Sequence, residues 1–148
     1  MFSFFKKKLI IPHVRMSGVI GSVGKFKQGL DLSSQQGLLK KAFSYKKPKT
    51  VAISINSPGG SPVQSHLIYS YIRQLAKKNN KKVIIFAEDV AASGGYFIAC
   101  AGDEIYANSS SIIGSIGVIS ASFGFKDLIK KIGIERRIYT AGKNKSTL

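Results

Sequence analysis

The sequence predicts an α/β domain built on a mostly parallel sheet, and three observations carry that expectation. Short apolar runs rich in β-branched residues recur along the chain: HVRMSGVI from residue 13, TVAISI from residue 50 and KVIIFA from residue 82. Between them lie stretches whose apolar residues repeat at helical spacing. Neither an internal repeat nor a linker interrupts this alternation, which argues for strands paired in parallel through crossover helices. At 148 residues the chain is about one domain, able to bury roughly two thirds of its unfolded surface. A hydrophobic share of 44% and 15 glycines fit a compact fold with tight turns.

In chain order, His13 to Ile20 reads as the first strand, with Pro12 at its edge and Val14, Met16 and Ile20 alternating. Gly21 to Gln28 is a polar, glycine-containing loop. A helix follows from Ser33 to Tyr45, burying Leu38, Leu39, Ala42 and Phe43, and Pro48 stops it. Strand Thr50 to Ile55 leads into the turn NSPGGSP. Ser61 caps the next helix, with Pro62 at its first position. Val63, Leu67, Ile68, Tyr71, Ile72 and Leu75 form its core face. After strand Lys82 to Ala87 come a turn at Ser93, a short packed helix from Tyr96 to Ala99, and a strand from Glu104 to Ala107. Ile116 to Ser120 reads as a further strand, Phe125 to Ile132 as a helix, and Ile134 to Thr140 as a last strand.

Composition excludes several classes. Cys100 is the only cysteine, so no disulfide forms within the chain; on an apolar helix it reads as a small core residue. The net charge of +16 comes from 23 Lys+Arg against 7 Asp+Glu. Its lysines are scattered as doublets (Lys40-Lys41, Lys46-Lys47, Lys77-Lys78, Lys81-Lys82, Lys130-Lys131), mostly near predicted helix C-termini, where a cation complements the dipole. With no nucleic-acid module and no zinc spacing present, a lysine-rich surface is expected, with no nucleic-acid partner, no metal and no cofactor. Residues 1–12 form a basic N-terminal segment whose apolar stretches are too short for a signal core or a membrane span. Phe2, Phe4 and Phe5 beside Lys6 to Lys8 allow weak peripheral membrane contact.

The chemistry concentrates at AASGGYFIAC, residues 91–100. Ser93 falls where an extended segment turns into a helix, its hydroxyl exposed and the N–H of Gly94 free at the helix start. A nucleophile in the open and a donor aimed at a developing oxyanion are two needs of acyl transfer. By itself the run describes a serine capping a glycine-rich helix start more readily than a nucleophile. The turn NSPGG, residues 56–60, exposes backbone N–H groups and allows close approach of a ligand at Gly59 and Gly60. It reads as half of an oxyanion hole, as a phosphate cradle lacking the Gly-Lys-Ser/Thr ending, or as an ordinary turn. For a base, His13 and His66 read as structural or surface residues, and lysine remains. Lys145, in AGKNKSTL, acts as a base only if burial lowers its pKa from the free value of ~10.4.

NSPGG, then AASGGYFIA, then GSIGV at 114–118, then AGKNKS, in that order, resemble the S49 family of serine proteases, the signal peptide peptidase A and SohB-like enzymes. The resemblance implies a ClpP/crotonase-like fold, a spiral of ββα units with a mostly parallel sheet, and residues 13–148 as the protease domain. It implies a Ser-Lys dyad: Ser93 as nucleophile, Lys145 as general base, and Ser115 orienting the lysine. The oxyanion donors fall on the N–H groups of Gly60 and Gly94. Gly59, Ile116, Gly117 and Val118 fall where an extended substrate pairs. A peptide substrate, a homo-oligomer and a bacterial cytoplasmic or inner-membrane-peripheral location are implied with them.

Two departures from the family qualify this expectation: no N-terminal anchor is detected, and the sequence stops three residues after Lys145, where relatives continue. The chain therefore reads as a truncated or split S49 protease. The competing expectations are a non-catalytic fragment or subunit, and an acyl-CoA enzyme of the same fold using glutamates, for which the nearest acids, Glu88 and Asp89, match no expected position.

Overall fold

The computed structural model describes residues 10–21, 29–117 and 124–135. Strand β1 (His13–Ser17), helix α1 (Leu32–Ser44), β2 (Thr50–Ser57), α2 (Pro62–Asn79), β3 (Lys82–Ala92), α3 (Gly94–Ala99) and β4 (Glu104–Ala107) alternate, followed by β5 (Ile112–Gly114). The sheet order is β1-β2-β3-β4, with β5 also on β3, and every pairing among the described residues is parallel. Strands that neighbour each other in chain order, joined by crossovers of one hand, place their helices on a single face. Burial follows that rule. Val14 and Met16 of β1, Val51, Ile53 and Ile55 of β2, and Val83, Ile85 and Ala87 of β3 are buried with Leu39, Phe43, Ile68 and Ile72 of the helices. Each fully buried aliphatic side chain contributes ~1.5–3 kcal/mol.

Local sequence explains the helix ends. The helix read from Ser33 starts one residue earlier, and Asp31 caps α1: its carboxylate accepts the Ser34 N–H at 2.8 Å. Those hydrogen bonds, the Ser34 N–H first, hold the Asp31 carboxyl below the usual carboxylate range. Gln64 of α2 accepts the Leu32 N–H at 3.0 Å, which fixes one helix start against the other. Ser61 caps α2 with Pro62 at its first position, as expected, and Asn80 ends it in the left-handed conformation. Lys81 donates to the carbonyls of Tyr45 and Pro48, tying the α1–β2 connection down; burial lowers its pKa.

Several expectations change. The first strand ends at Ser17 because Gly18 turns with φ +111°, and Ile20 returns only as an isolated bridge. Leu38, Val63 and Leu67 are exposed, since the buried stripes centre on Leu39, Ala42 and Phe43 in α1 and on Ser65, Ile68 and Ile72 in α2. Cys100 is exposed at the C-cap of α3, whose buried side is Gly94, Gly95, Ile98 and Ala99. Of the strand read at Ile116 to Ser120, Ile116 and Gly117 lie outside any strand, beyond β5, which ends at Gly114; residues 118–120 lie outside the described residues. Ile134 and Glu135 are not in a strand, and residues 136–140 also lie outside. Residues 118–148 form a second compact unit, in which α4 (Lys126–Lys131) matches the expected helix.

Asp103 locks the α3–β4 connection to the sheet. Its carboxylate accepts the Val83 N–H at 2.7 Å and an Arg73 N–H at 2.9 Å, while Arg73 also donates to the Ala101 carbonyl at 3.0 Å. Burial pushes the Asp103 carboxyl up, but the bonds from Val83 and Arg73 outweigh it and the net shift is downward. A depressed folded-state pKa stabilises fully above the unfolded value of ~3.9 and loses that stability as pH falls through the folded value. Asp103→Asn is therefore expected to lower stability at pH 7 by about 1 kcal/mol, a modest figure because solvent screens a partly exposed pair. Urea titrations from pH 7 down to pH 2 check this: the difference between the two proteins should shrink below pH 4.

Candidate active site

Two strand-to-helix turns meet at the C-terminal end of the sheet. One joins β2 to α2 through Pro58, Gly59 and Gly60; the other joins β3 to α3 at Ser93. Open parallel sheets bind ligands at this end of their strands. Ser93 is partly exposed and carries φ +51°, ψ −119°, a backbone state that costs a non-glycine residue ~1–3 kcal/mol. Its side chain does not cap α3. Its N–H donates to the Gly114 carbonyl at 2.7 Å, and its carbonyl accepts from Phe97 at 2.9 Å. The hydroxyl is thus left outside the helix it begins. Among the described hydrogen bonds, the N–H groups of Gly60 and Gly94 donate to no protein acceptor.

The turns nest without room for side chains between them. A Cβ on Gly59 would lie 2.8 Å from Ser93 Cβ, 2.9 Å from the Ala92 carbonyl oxygen and 3.0 Å from the Gly94 nitrogen. A Cβ on Gly95 would lie 2.7 Å from the Ser57 carbonyl oxygen. Ser57 is fully buried, and its hydroxyl accepts the Gly59 N–H at 3.1 Å, tightening the turn from within. Gly59 and Gly60 hold φ values of +101° and +144°, open to glycine alone at little cost.

An irregularity in β3 delivers its end to this place. Ile55 pairs with Ala87, but Ser57 pairs with Ala91, so β3 runs four residues where β2 runs two. Before the irregularity β3 pairs with β4; after it, Val90 to Ala92 pair with Ile112 to Gly114 of β5. Glu88 and Asp89 sit within it. Arg15 grips Glu88 with bonds of 2.6 and 2.7 Å and, with that hydrogen bonding as the largest cause, holds its carboxyl below the ordinary range. Asp89 accepts from the Asn56 amide at 2.9 Å. Both acids are engaged in these contacts.

Of the residues singled out from sequence, Ser93, Gly59, Gly60 and Gly94 are gathered here. Ser115 is brought alongside by the Ser93–Gly114 bond and has φ +52°. Ile116 and Gly117 follow β5 as exposed residues outside any strand. Lys145 and Val118 lie outside the described residues. His13 shares a 2.5 Å hydrogen bond with Ser54 on β2, and His66 lies against Phe97 with ring centroids 6.1 Å apart. The cavity of about 390 Å³ beside β1 and α1, lined by Pro12, Leu38, Ala42 and Tyr45 among others, contains none of the turn residues. Sequence reading missed Ile20, Ser57 and Ser65. For Ser65 a signal existed: a polar residue on the apolar face of an amphipathic helix.

The sequence profile of peptidase family S49 matches residues 75–148. The chain belongs to that family. A Brucella melitensis protein named as the Na(+)/H(+) antiporter NhaA is 63% identical over 93% of this chain, a stretch that is 19% of its own length. The chloroplastic serine protease SPPA of Arabidopsis thaliana is 43% identical over 66% of this chain and 14% of its length. Thus the chain spans less than a fifth of either protein. A mutant of the 1510-N membrane-bound stomatin-specific protease superposes with TM-score 0.52 at 19% identity, covering 70% of this chain and 46% of that one. The α/β fold is therefore the ClpP/crotonase-like one that the sequence motifs implied. Among the described residues no helix is long and apolar enough to cross a membrane.

The nested turns make a structural prediction. Gly59→Ala adds a Cβ that meets the Ser93 turn at 2.8 Å. Gly114→Ala, at a similar φ of +108°, meets nothing within 4 Å. Gly59→Ala should cost roughly 2–4 kcal/mol and Gly114→Ala about 1 kcal/mol, as read from denaturant midpoints. Equal costs would mean that backbone strain alone, and not contact between the turns, makes Gly59 necessary.

Proposed function

We propose that this domain is a serine endopeptidase working through a Ser-Lys dyad. The observation that supports this best is the placement of Ser93: a strained, partly exposed turn leaves its hydroxyl uncommitted to the α3 cap, beside the free N–H of Gly94 and the packed Gly59–Gly60 turn. In this reading neutral Lys145, oriented by Ser115, takes the Ser93 proton as the oxygen attacks a peptide carbonyl. The carbonyl oxygen becomes an oxyanion between the N–H groups of Gly60 and Gly94, where preorganised donors stabilise the transition state. Collapse of the intermediate breaks the C–N bond, and protonated Lys145 returns the proton to the leaving amine. Water then attacks the acyl-enzyme with Lys145 as base, releasing the acid and Ser93.

An extended peptide is the substrate such a site takes. Among the described residues β5 pairs with β3 alone, so its outer edge is open to strand addition, and Gly59 with Ile116, Gly117 and Val118 would border the chain. Ile112, Ile113 and Ile116 are exposed there, favouring apolar peptides such as residual signal peptides or membrane-protein segments. The same apolar surface suits a homo-oligomer, and peripheral membrane contact would present such substrates.

A fluorophosphonate probe tests the nucleophile. Wild-type protein should be labelled, Ser93→Ala should not, and Lys145→Ala should be labelled at least ~100-fold more slowly. The wild-type rate should rise with pH, because the uncharged amine is the base. Unlabelled wild-type protein would instead favour a non-catalytic subunit.

The Brucella relative favours a second reading, of setting: its matching stretch belongs to a far longer chain named as an antiporter, and we propose that this domain works beside a membrane transporter. Crosslinking in membranes followed by mass spectrometry should then recover a transporter of that class; recovery of peptides from this chain alone would contradict it.

A further inference from the structure

We infer that Ile20 is a positioning residue that sets the two N–H groups of Gly60 and Gly94 relative to each other; the inference rests on the peptidase reading for its catalytic meaning. Ile20 lies beyond the end of β1, bridged in parallel to Leu30 on one side and to Gly60 on the other. Its N–H donates to the Gly59 carbonyl at 2.8 Å, and its carbonyl accepts from Ser61 at 2.8 Å. In a parallel bridge of this kind the residue between those two bonds turns its own N–H and C=O away from the partner. Ile20 thereby aims the Gly60 N–H to the far side of the segment. The fit excludes any side chain, since a Cβ on Gly60 would stand 2.1 Å from the Ile20 carbonyl oxygen.

The Ile20 side chain reaches the other glycine. It is 3% exposed, and its Cδ1 lies 3.2 Å from the position a Cβ on Gly94 would take. Ser65 forms the opposing wall, with its Oγ 2.3 Å from that position and donating to the Ser61 carbonyl at 2.8 Å. One residue therefore meets the Gly60 turn through its backbone and, with its terminal methyl, fills the space a side chain on Gly94 would need. Two donors serve one oxyanion only when both are within range together, and displacements near 1 Å cost on the order of 100-fold in rate.

Ile20→Val removes only the methyl that closes the space beside Gly94 while keeping the branched, extended residue. Ile53→Val makes the same deletion at a fully buried position of β2 and is the structural control. With a fluorogenic peptide, Ile20→Val should lower kcat by roughly 5–10-fold and Ile20→Ala by roughly 30–100-fold, with KM within about twofold. Ile53→Val should leave kcat within about twofold. In ¹⁵N–¹H spectra, Ile20→Val should move the Gly94 amide resonance and Ile53→Val should not. Equal kcat in the two valine variants, with Ser93-dependent activity intact, overturns the inference and leaves the peptidase reading standing. If wild-type protein cleaves nothing, the peptidase reading fails instead, and the Gly94 resonance decides: moved in Ile20→Val alone, it supports the positioning role; unmoved, it overturns it.

Discussion

Backbone touches backbone where Gly59 meets the Ser93 turn, and the rest of the described sheet is arranged to permit that contact. A methyl group there would overlap Ser93 Cβ and the Gly94 nitrogen. Close approach of this kind requires both turns to leave the same end of adjacent parallel strands, which the β2–β3 pairing provides. It also requires a reversal short enough to keep the two helix starts together, which the buried Ser57 hydroxyl secures by accepting the Gly59 N–H. Beside this contact the N–H groups of Gly60 and Gly94 stay unclaimed, and that of Gly94 opens a helix, where an unclaimed donor attracts developing negative charge.

The irregularity in β3 solves a second problem. A regular strand would keep pairing with β4 and would place its end differently against β2. By inserting extra length between Ala87 and Ala91, the chain changes neighbours from β4 to β5 and brings Gly114 within hydrogen-bonding distance of the Ser93 N–H. The inserted residues include two acids, and the protein neutralises their effect locally, Glu88 by the two-pronged Arg15 contact and Asp89 by Asn56. A strongly basic chain thus spends one of its few arginines on Glu88, one of the two acids within the irregularity.

Much of this was legible in the sequence, and the failures have physical causes. Strands such as TVAISI and KVIIFA declare themselves because a sheet interior favours branched apolar residues. The helix of residues 62–79 declares itself through Ser61-Pro62 and its apolar spacing. Exposure of Leu38, Val63 and Leu67 was not legible, because periodicity marks a face and not its width. The early end of β1 was announced by Gly18, but the return of Ile20 depends on Gly60, forty residues later, and no local pattern encodes it. Ser93 was found because glycines on its C-terminal side and an apolar run before it advertise a sharp turn. Ser57 and Ile20, which hold that turn's neighbour in place, look like any buried serine or isoleucine until the chain is folded.

Whether the two glycine turns form one anion-stabilising site is settled most directly by a crystal structure of the chain after reaction with a small fluorophosphonate. The phosphoryl oxygen bonded through phosphorus to Ser93 imitates the tetrahedral oxyanion. That oxygen should lie at about 3 Å from the nitrogens of both Gly60 and Gly94. An adduct on Ser93 whose phosphoryl oxygen reaches neither nitrogen, or points into solvent, would contradict it.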